Sequence, residues 1–212
     1  MSRTHSGSTV LLIALLLAGT SAAQVAPDLD YTEIRPAQPT SDSNRIVVTE
    51  FFSYQCPHCA AFEPYLQHWL SELPDDVAFE RVAVSFGREA WTPAARAFYT
   101  LKAMGESQAL HAAIFRAIHA EGERFGDKGA IVSWMQGQGI DARAFSGTYD
   151  SFGIDAALRQ AEQQTAAYKV TSIPGLAIDG RYRVRLLDNG TFERQLKSVN
   201  DLIESARLAR QR

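Results

Sequence analysis

Cysteine is scarce in this 212-residue chain: there are two, Cys56 and Cys59. That excludes a disulfide-stapled miniprotein and any four-cysteine zinc or iron–sulfur centre. Neither sign of charge dominates, with 21 Lys+Arg against 24 Asp+Glu and a formal net charge of −3. Such a mild balance gives no reason to expect nucleic acid, an anionic membrane surface or a polycationic substrate. Only 8 Pro and 14 Gly are present, too few for a collagen-like or low-complexity chain. No internal repeat is evident. What is there is ordinary for a folded domain, 46% hydrophobic and 21% charged. The length suits one domain, or one domain carrying an insertion.

The first residues read as an address. Arg3 sits in a short polar start, Val10 to Ala18 is unbroken apolar sequence, and Gly19, Thr20, Ser21, Ala22 and Ala23 are small. This is the order of a secretory signal, with cleavage expected after Ala23, or alternatively after Ala22. The apolar run falls short of the roughly 20 residues that span a bilayer. No cysteine follows it to carry a lipid. The mature protein is expected to be soluble and outside the cytoplasm, where thiols are oxidised.

After a lead-in rich in Pro, Asp, Ser and Thr, Tyr31–Ile34 can pair as a short edge strand. Arg45–Tyr54 is apolar, β-branched and aromatic apart from Glu50. It predicts a strand buried on both faces. From Pro57 to Leu73 the apolar residues Cys59, Phe62, Leu66, Trp69, Leu70 and Leu73 share one helical stripe. Pro57 suits the first helical turn, Pro64 should kink the helix, and Pro74 ends it. Val77–Phe86 predicts a second strand, parallel to the first.

A helical stretch follows. Thr92 as cap and Pro93 open a helix to Met104, stopped by Gly105. Ser107–Ala120 is next, with Leu110, Ile114, Phe115 and Ile118 as its apolar side. Asp127 caps a helix through Met135. Asp141–Tyr149 and Ile154–Tyr168 complete the run. Gly175–Ile178 then predicts a strand, Asp179-Gly180 a two-residue hairpin turn, and Arg181–Leu187 the returning strand. Arg181, Arg183 and Arg185 share one face of it, expected to be the solvated face of an edge strand. Ser198–Arg210 predicts a closing amphipathic helix. The order is an α/β core split by a helical insertion. The expected division is 1–23 for the signal, 24–91 and 169–212 for the core, and 92–168 for the insertion.

The chemistry concentrates in Cys56-Pro57-His58-Cys59, placed where a strand gives way to a helix. Free N–H groups and the positive end of the helix dipole stabilise an anion there. Cys56 should therefore be an acidic thiol, and His58 can add a hydrogen bond or a positive charge. A Cys56–Cys59 ring closes a very short loop and constrains the unfolded chain little, so it makes more sense as a redox group than as a staple. A structural disulfide and a zinc site are the alternatives. The first would reach no distant element, and the second lacks two ligands, since His68, His111 and His119 show no ligand-like spacing. Haem attachment would need His, not Ala60, after the second Cys. No metal site is expected.

Glu50-Phe51-Phe52-Ser53-Tyr54-Gln55-Cys56-Pro57-His58-Cys59, followed by Phe62-Glu63, resembles the active-site stretch of the DsbA family of periplasmic thiol:disulfide oxidoreductases. Ser172-Ile173-Pro174-Gly175, leading into Asp179-Gly180, is similar to that family's cis-proline loop and hairpin. The resemblance covers essentially the whole mature chain. It implies a thioredoxin fold with an inserted helical domain, and an enzyme that donates a Cys56–Cys59 disulfide to reduced secreted proteins through a mixed disulfide at Cys56. No cofactor beyond that disulfide is implied. Partners would be reduced secreted polypeptides and a membrane quinone-linked reoxidase resembling DsbB. Pro174 would be cis, with Ile173 offering backbone to substrate. Glu50 would accept the proton of buried Cys59. Glu63 lies four residues after Cys59 on the same helix face and matches a family acid. Arg81 stands at a family Lys position, and because Arg does not surrender its proton, an ion pair is expected there. For Glu63 and Arg81 a purely structural salt bridge is an equal alternative. A reductase or isomerase of the same fold, or a peptide-binding chaperone module, are the competing functions. Against an isomerase, the ~20 residues between the cleavage site and the core leave no room for a separate dimerisation domain.

Overall fold

The structure, a computed structural model, describes residues 31–185 and 190–211. The signal segment and the expected strand positions Leu186 and Leu187 lie outside the described residues. Five strands form one sheet: β1 (Tyr31–Glu33), β2 (Ile46–Phe52), β3 (Val77–Ala83), β4 (Gly175–Ile178) and β5 (Tyr182–Arg185), in spatial order β1-β5-β4-β2-β3. β2 and β3 are parallel, and β4 is antiparallel to β2. All seven residues of β2 are buried, as its continuous apolar sequence requires of a central strand.

Helices cover both faces. On one, α1 (Pro57–Ser71) and α7 (Phe192–Arg210) close a core of Val48, Phe62, Leu66, Leu176, Val199 and Leu202. On the other stand α2 (Thr92–Met104), α3 (Ser107–His119), α4 (Lys128–Gly137), α5 (Ala142–Tyr149) and α6 (Phe152–Ala167), inserted between β3 and β4. Their core runs continuously into Phe51, Phe52, Cys56 and Cys59. This is a thioredoxin fold carrying an inserted helical domain. Asp127 and Asp141 cap α4 and α5 by accepting from the N–H groups of Ala130 and Ala144. Gly105 ends α2 in the left-handed conformation. Among the described residues no helix is long and apolar enough to cross a membrane.

Several boundaries differ from the sequence expectation. α1 passes through Pro64 and ends at Ser71. β3 stops at Ala83. Thr92 is the first residue inside α2, not its cap, because a 3-10 turn at Glu89–Trp91 leads into the helix and the Thr92 hydroxyl donates back to the Arg88 carbonyl at 3.2 Å. α7 begins six residues before Ser198, where Thr191 accepts from the Arg194 N–H and Phe192 stacks on Phe62 and Tyr65. The arginine-bearing strand is not an edge. β1 pairs along its outer side, and the Arg183 guanidinium donates to the Thr32 hydroxyl at 3.3 Å.

The hairpin loop is also one residue longer than expected, since Ile178 pairs with Tyr182. Asp179 and Gly180 both take positive φ, 53° and 64°. Gly180 packs on the lead-in, where an added Cβ would meet the Gln38 carbonyl oxygen at 2.0 Å. Gly180→Ala is therefore predicted to cost more than ~2 kcal/mol of stability, measured by urea unfolding, through left-handed strain and a backbone clash together.

Candidate active site

The site grows from the turn after β2. Ser53 ties it: its carbonyl accepts from the Cys56 N–H at 3.0 Å and its hydroxyl from the Gln55 N–H at 3.2 Å. Cys56 thereby becomes the N-cap of α1 in extended conformation, with Pro57 in the first turn. His58 and Pro57 are exposed, whereas Cys56 and Cys59 are 5% and 1% exposed. Both thiols are free.

The two sulfurs sit in opposite electrostatic situations. Cys56 is brought down to about 6 by a hydrogen bond from the Cys59 thiol, against a smaller effect of burial, with help from the N–H groups of Cys59 and His58 and the charge of His58. Those N–H groups do not reach capping geometry on the sulfur. Their contribution is that of oriented dipoles at a helix N-terminus. Cys59 is driven far up by burial first, then by its bond to Cys56 and by the Glu50 charge. One thiolate is thus held at Cys56 while Cys59 keeps its proton.

The Ile173–Pro174 peptide is cis, and the Cys56 sulfur lies 3.8 Å from the Ile173 carbonyl oxygen. β4 begins immediately afterwards, at Gly175. The two parts of the sequence that carry the motif thus meet at one sulfur atom.

Behind Cys59 lies a buried charge network. Arg81 on β3 donates to Glu50 on β2 at 2.8 Å and to Glu63 on α1 at 3.3 Å. Gln67 donates to Glu63 at 2.6 Å. The expected ion pair at Arg81 is present and joins both acids. Burial pushes Glu50 up to about 7, only partly offset by Arg81 and reinforced by the Glu63 charge. Burial acts on Glu63 in the same sense, but contacts to His111, Arg81 and Gln67 outweigh it and hold that carboxyl below its ordinary value. One acid is ionised and the other titrates near neutrality.

Sequence reasoning missed the residues that the helical domain brings here. His111 Nδ1 lies 2.8 Å from the Tyr54 hydroxyl, and His111 Nε2 lies 3.4 Å from Glu63. His119 Nε2 meets the Tyr54 carbonyl at 2.8 Å. The buried stripe of α3 is His111, Ile114, Phe115 and Ala117, and the expected Leu110 and Ile118 are only partly buried. The signal was present, since His111, Ile114, Phe115 and Ile118 follow i, i+3, i+4, i+7 spacing. Oxygens of Glu50 and Glu63 and a ring nitrogen of His111 lie within 4.8 Å of one another. The Arg81 guanidinium already supplies the cation between the two acids, which makes this an ion-pair network.

The shift at Cys56 carries a pH signature in the reduced protein. A thiol more acidic in the folded than in the unfolded chain stabilises the fold in full above its ordinary value of 9.0, and loses that contribution as pH falls through about 6. Thiolate absorbance near 240 nm should titrate with a midpoint near 6. The melting temperature of the reduced form, relative to the oxidised form in which Cys56 cannot ionise, should rise from pH 6 to 9.

Residues 47–197 match the family described as DSBA-like thioredoxin domain. The chain is 36% identical over 201 residues to the thiol:disulfide interchange protein DsbA of Pseudomonas syringae pv. tomato, covering 93% of this chain and 94% of that protein. It is 35% identical over 208 residues to DsbA of Azotobacter vinelandii, covering 96% and 97%. The crystal structure of Pseudomonas aeruginosa DsbA superposes with a TM-score of 0.82 at 36% identity, covering 86% of this chain and 95% of that one. On the strand-to-helix CPHC turn, the Ile173-Pro174 loop facing it and these relatives together, the chain belongs to the DsbA family of thiol:disulfide oxidoreductases.

Proposed function

We propose that the protein donates a Cys56–Cys59 disulfide to reduced polypeptides outside the cytoplasm. The observation that carries this reading is the opposed behaviour of the two thiols, one acidic at the head of α1 and one buried and protonated. The DsbA family is a standard instance of the acidic-cysteine rule. A substrate thiolate attacks Cys56, the Cys56–Cys59 bond breaks, and Cys59 leaves and takes a proton. The second substrate thiolate then attacks its own sulfur partner in the mixed disulfide. Cys56 leaves as a thiolate, and two electrons have passed from substrate to enzyme. A stabilised leaving thiolate speeds that release and favours the reduced enzyme.

The other site residues have roles consistent with their places. Glu50, titrating near neutrality beside Cys59, supplies and removes the Cys59 proton. Ile173 and Pro174 present backbone to an extended substrate segment at Cys56. Glu63 and Arg81 fix the charge state of Glu50. The signal-like order of residues 1–23 supports a periplasmic location. A membrane quinone-linked partner resembling DsbB is the proposed reoxidase.

Attack at Cys56 has a direct test. With Cys59→Ala, the Cys56 thiolate should open a peptide disulfide and remain bonded to one peptide sulfur, seen as an adduct by intact mass. Cys56→Ala should form no adduct, and neither variant should oxidise a peptide dithiol catalytically. Turnover by Cys56→Ala, or no adduct on Cys59→Ala, would contradict the reading.

A further inference from the structure

Of the large apolar side chains left exposed among the described residues, Phe86 is the one carried by a loop. It takes φ 50°, a left-handed conformation that is strained for a bulky residue. Gly87 follows at φ 69°, and Phe86 is left 36% exposed. Its ring belongs to neither apolar core. Strain of this kind persists where the surroundings fix it, and it clusters at sites that bind.

The surroundings do fix it. Buried Ser85 accepts from the Gly87 N–H through its hydroxyl at 3.3 Å and from the Arg88 N–H through its carbonyl at 3.0 Å. The Arg88 carbonyl in turn accepts from the Trp91 N–H at 3.0 Å. Trp91 packs on the core of the inserted domain, and its ring centroid lies 6.5 Å from that of Phe86. The Arg88 guanidinium lies over the Trp91 ring, 4.4 Å from its centroid. Arg88 is exposed, and a guanidinium stacked on one ring has a second flat face to offer another. Glu89, exposed beside it, balances its charge, so the loop selects for a ring and not for a sign of charge.

This loop stands at the reactive end of the sheet. The Val84 N–H donates to the Phe52 carbonyl at 2.8 Å, so the chain leaves β3 level with the turn that carries Cys56. The Ile173–Pro174 loop enters β4 at the same end, on the other side of β2. The loops before β4, after β2 and after β3 therefore stand in a row, with Cys56 in the middle. β4 and β3 are two strand spacings apart, about 10 Å, a distance that three extended residues cover. A polypeptide that engages Ile173 and offers a cysteine to Cys56 reaches Phe86 and Arg88 with its next residues.

We infer that Phe86, Arg88 and Trp91 form a second contact for the substrate polypeptide, taking an aromatic side chain on the side of its cysteine away from Ile173. The inference rests on the proposed oxidation of reduced polypeptides and adds a selectivity to it. The incoming ring meets the Phe86 ring and the open face of Arg88. The loop takes no part in the sulfur chemistry and acts on which cysteine is taken.

The test compares kcat/KM for peptide dithiols that carry Phe or Ala on the N-terminal side of both cysteines, and for a second pair with Phe or Ala on the C-terminal side. In one of the two pairs the wild-type protein should oxidise the Phe peptide ~3- to 10-fold faster than the Ala peptide. Phe86→Asn, which suits the left-handed conformation, should abolish that preference without lowering the melting temperature. Equal rates for Phe and Ala in both pairs, or a preference that survives in Phe86→Asn, would overturn the inference. Should Phe86→Asn melt lower than wild type, Arg88→Gln keeps the ring in place and decides. The preference then shrinks if the inference holds and stays if it does not. If the wild-type protein oxidises none of the four peptides, the proposed function itself falls. If it oxidises all four alike, only the second contact falls.

Discussion

The decisive constraint is the unequal treatment of two sulfur atoms three residues apart. One turn of helix separates them, yet Cys56 stands at the N-terminal end of α1 while Cys59, 1% exposed, is buried in the core shared by the sheet and the inserted helices. A negative charge is stabilised at the first and opposed at the second. Most of the surrounding architecture serves that difference. Ser53 ties the turn so that Cys56 falls at the cap, central burial of β2 sinks Cys59, and the loop before β4 brings the Ile173 carbonyl to within 3.8 Å of the Cys56 sulfur.

Burying Cys59 creates a second problem, because a buried sulfur that gains and loses a proton needs a neighbour that does the same. The network of Glu50, Arg81 and Glu63 is built from β2, β3 and α1 and held by His111 from α3. The helical domain is thus part of the site as well as a cover for it. His111 and His119, two turns apart on α3, both engage Tyr54 next to the reactive turn. Phe52, Phe98 and Phe115 pack edge-on around His111, where aromatic rings prefer such T-shaped contacts.

Much of this was legible in the sequence, and the physical reasons are specific. Continuous apolar character marked β2 as central, the Asp127 cap marked α4, and the CPHC turn marked the site. Glu50 stood out as an acid in a buried strand. What stayed hidden depends on contacts distant in sequence. β5 looked like an edge strand because nothing local says that β1 pairs beyond it. His111 was weighed only as a zinc ligand and set aside for want of ligand-like spacing, and the helical stripe was drawn through Leu110, one position away, since a polar ring is not expected in a core without its partners in view. The start of α7 was missed for a similar reason, since the Phe192 ring has meaning only against Phe62 and Tyr65 on α1.

The central claim is that the folded protein favours the dithiol with a thiolate at Cys56, and is therefore a strong oxidant. Equilibrating the protein at pH 7 with glutathione buffers, while trapping free thiols, measures this directly. The thiolate at the head of α1 predicts a midpoint more oxidising than about −180 mV, the value typical of a protein disulfide isomerase. A midpoint near about −270 mV, that of a thioredoxin-type reductase, would contradict it.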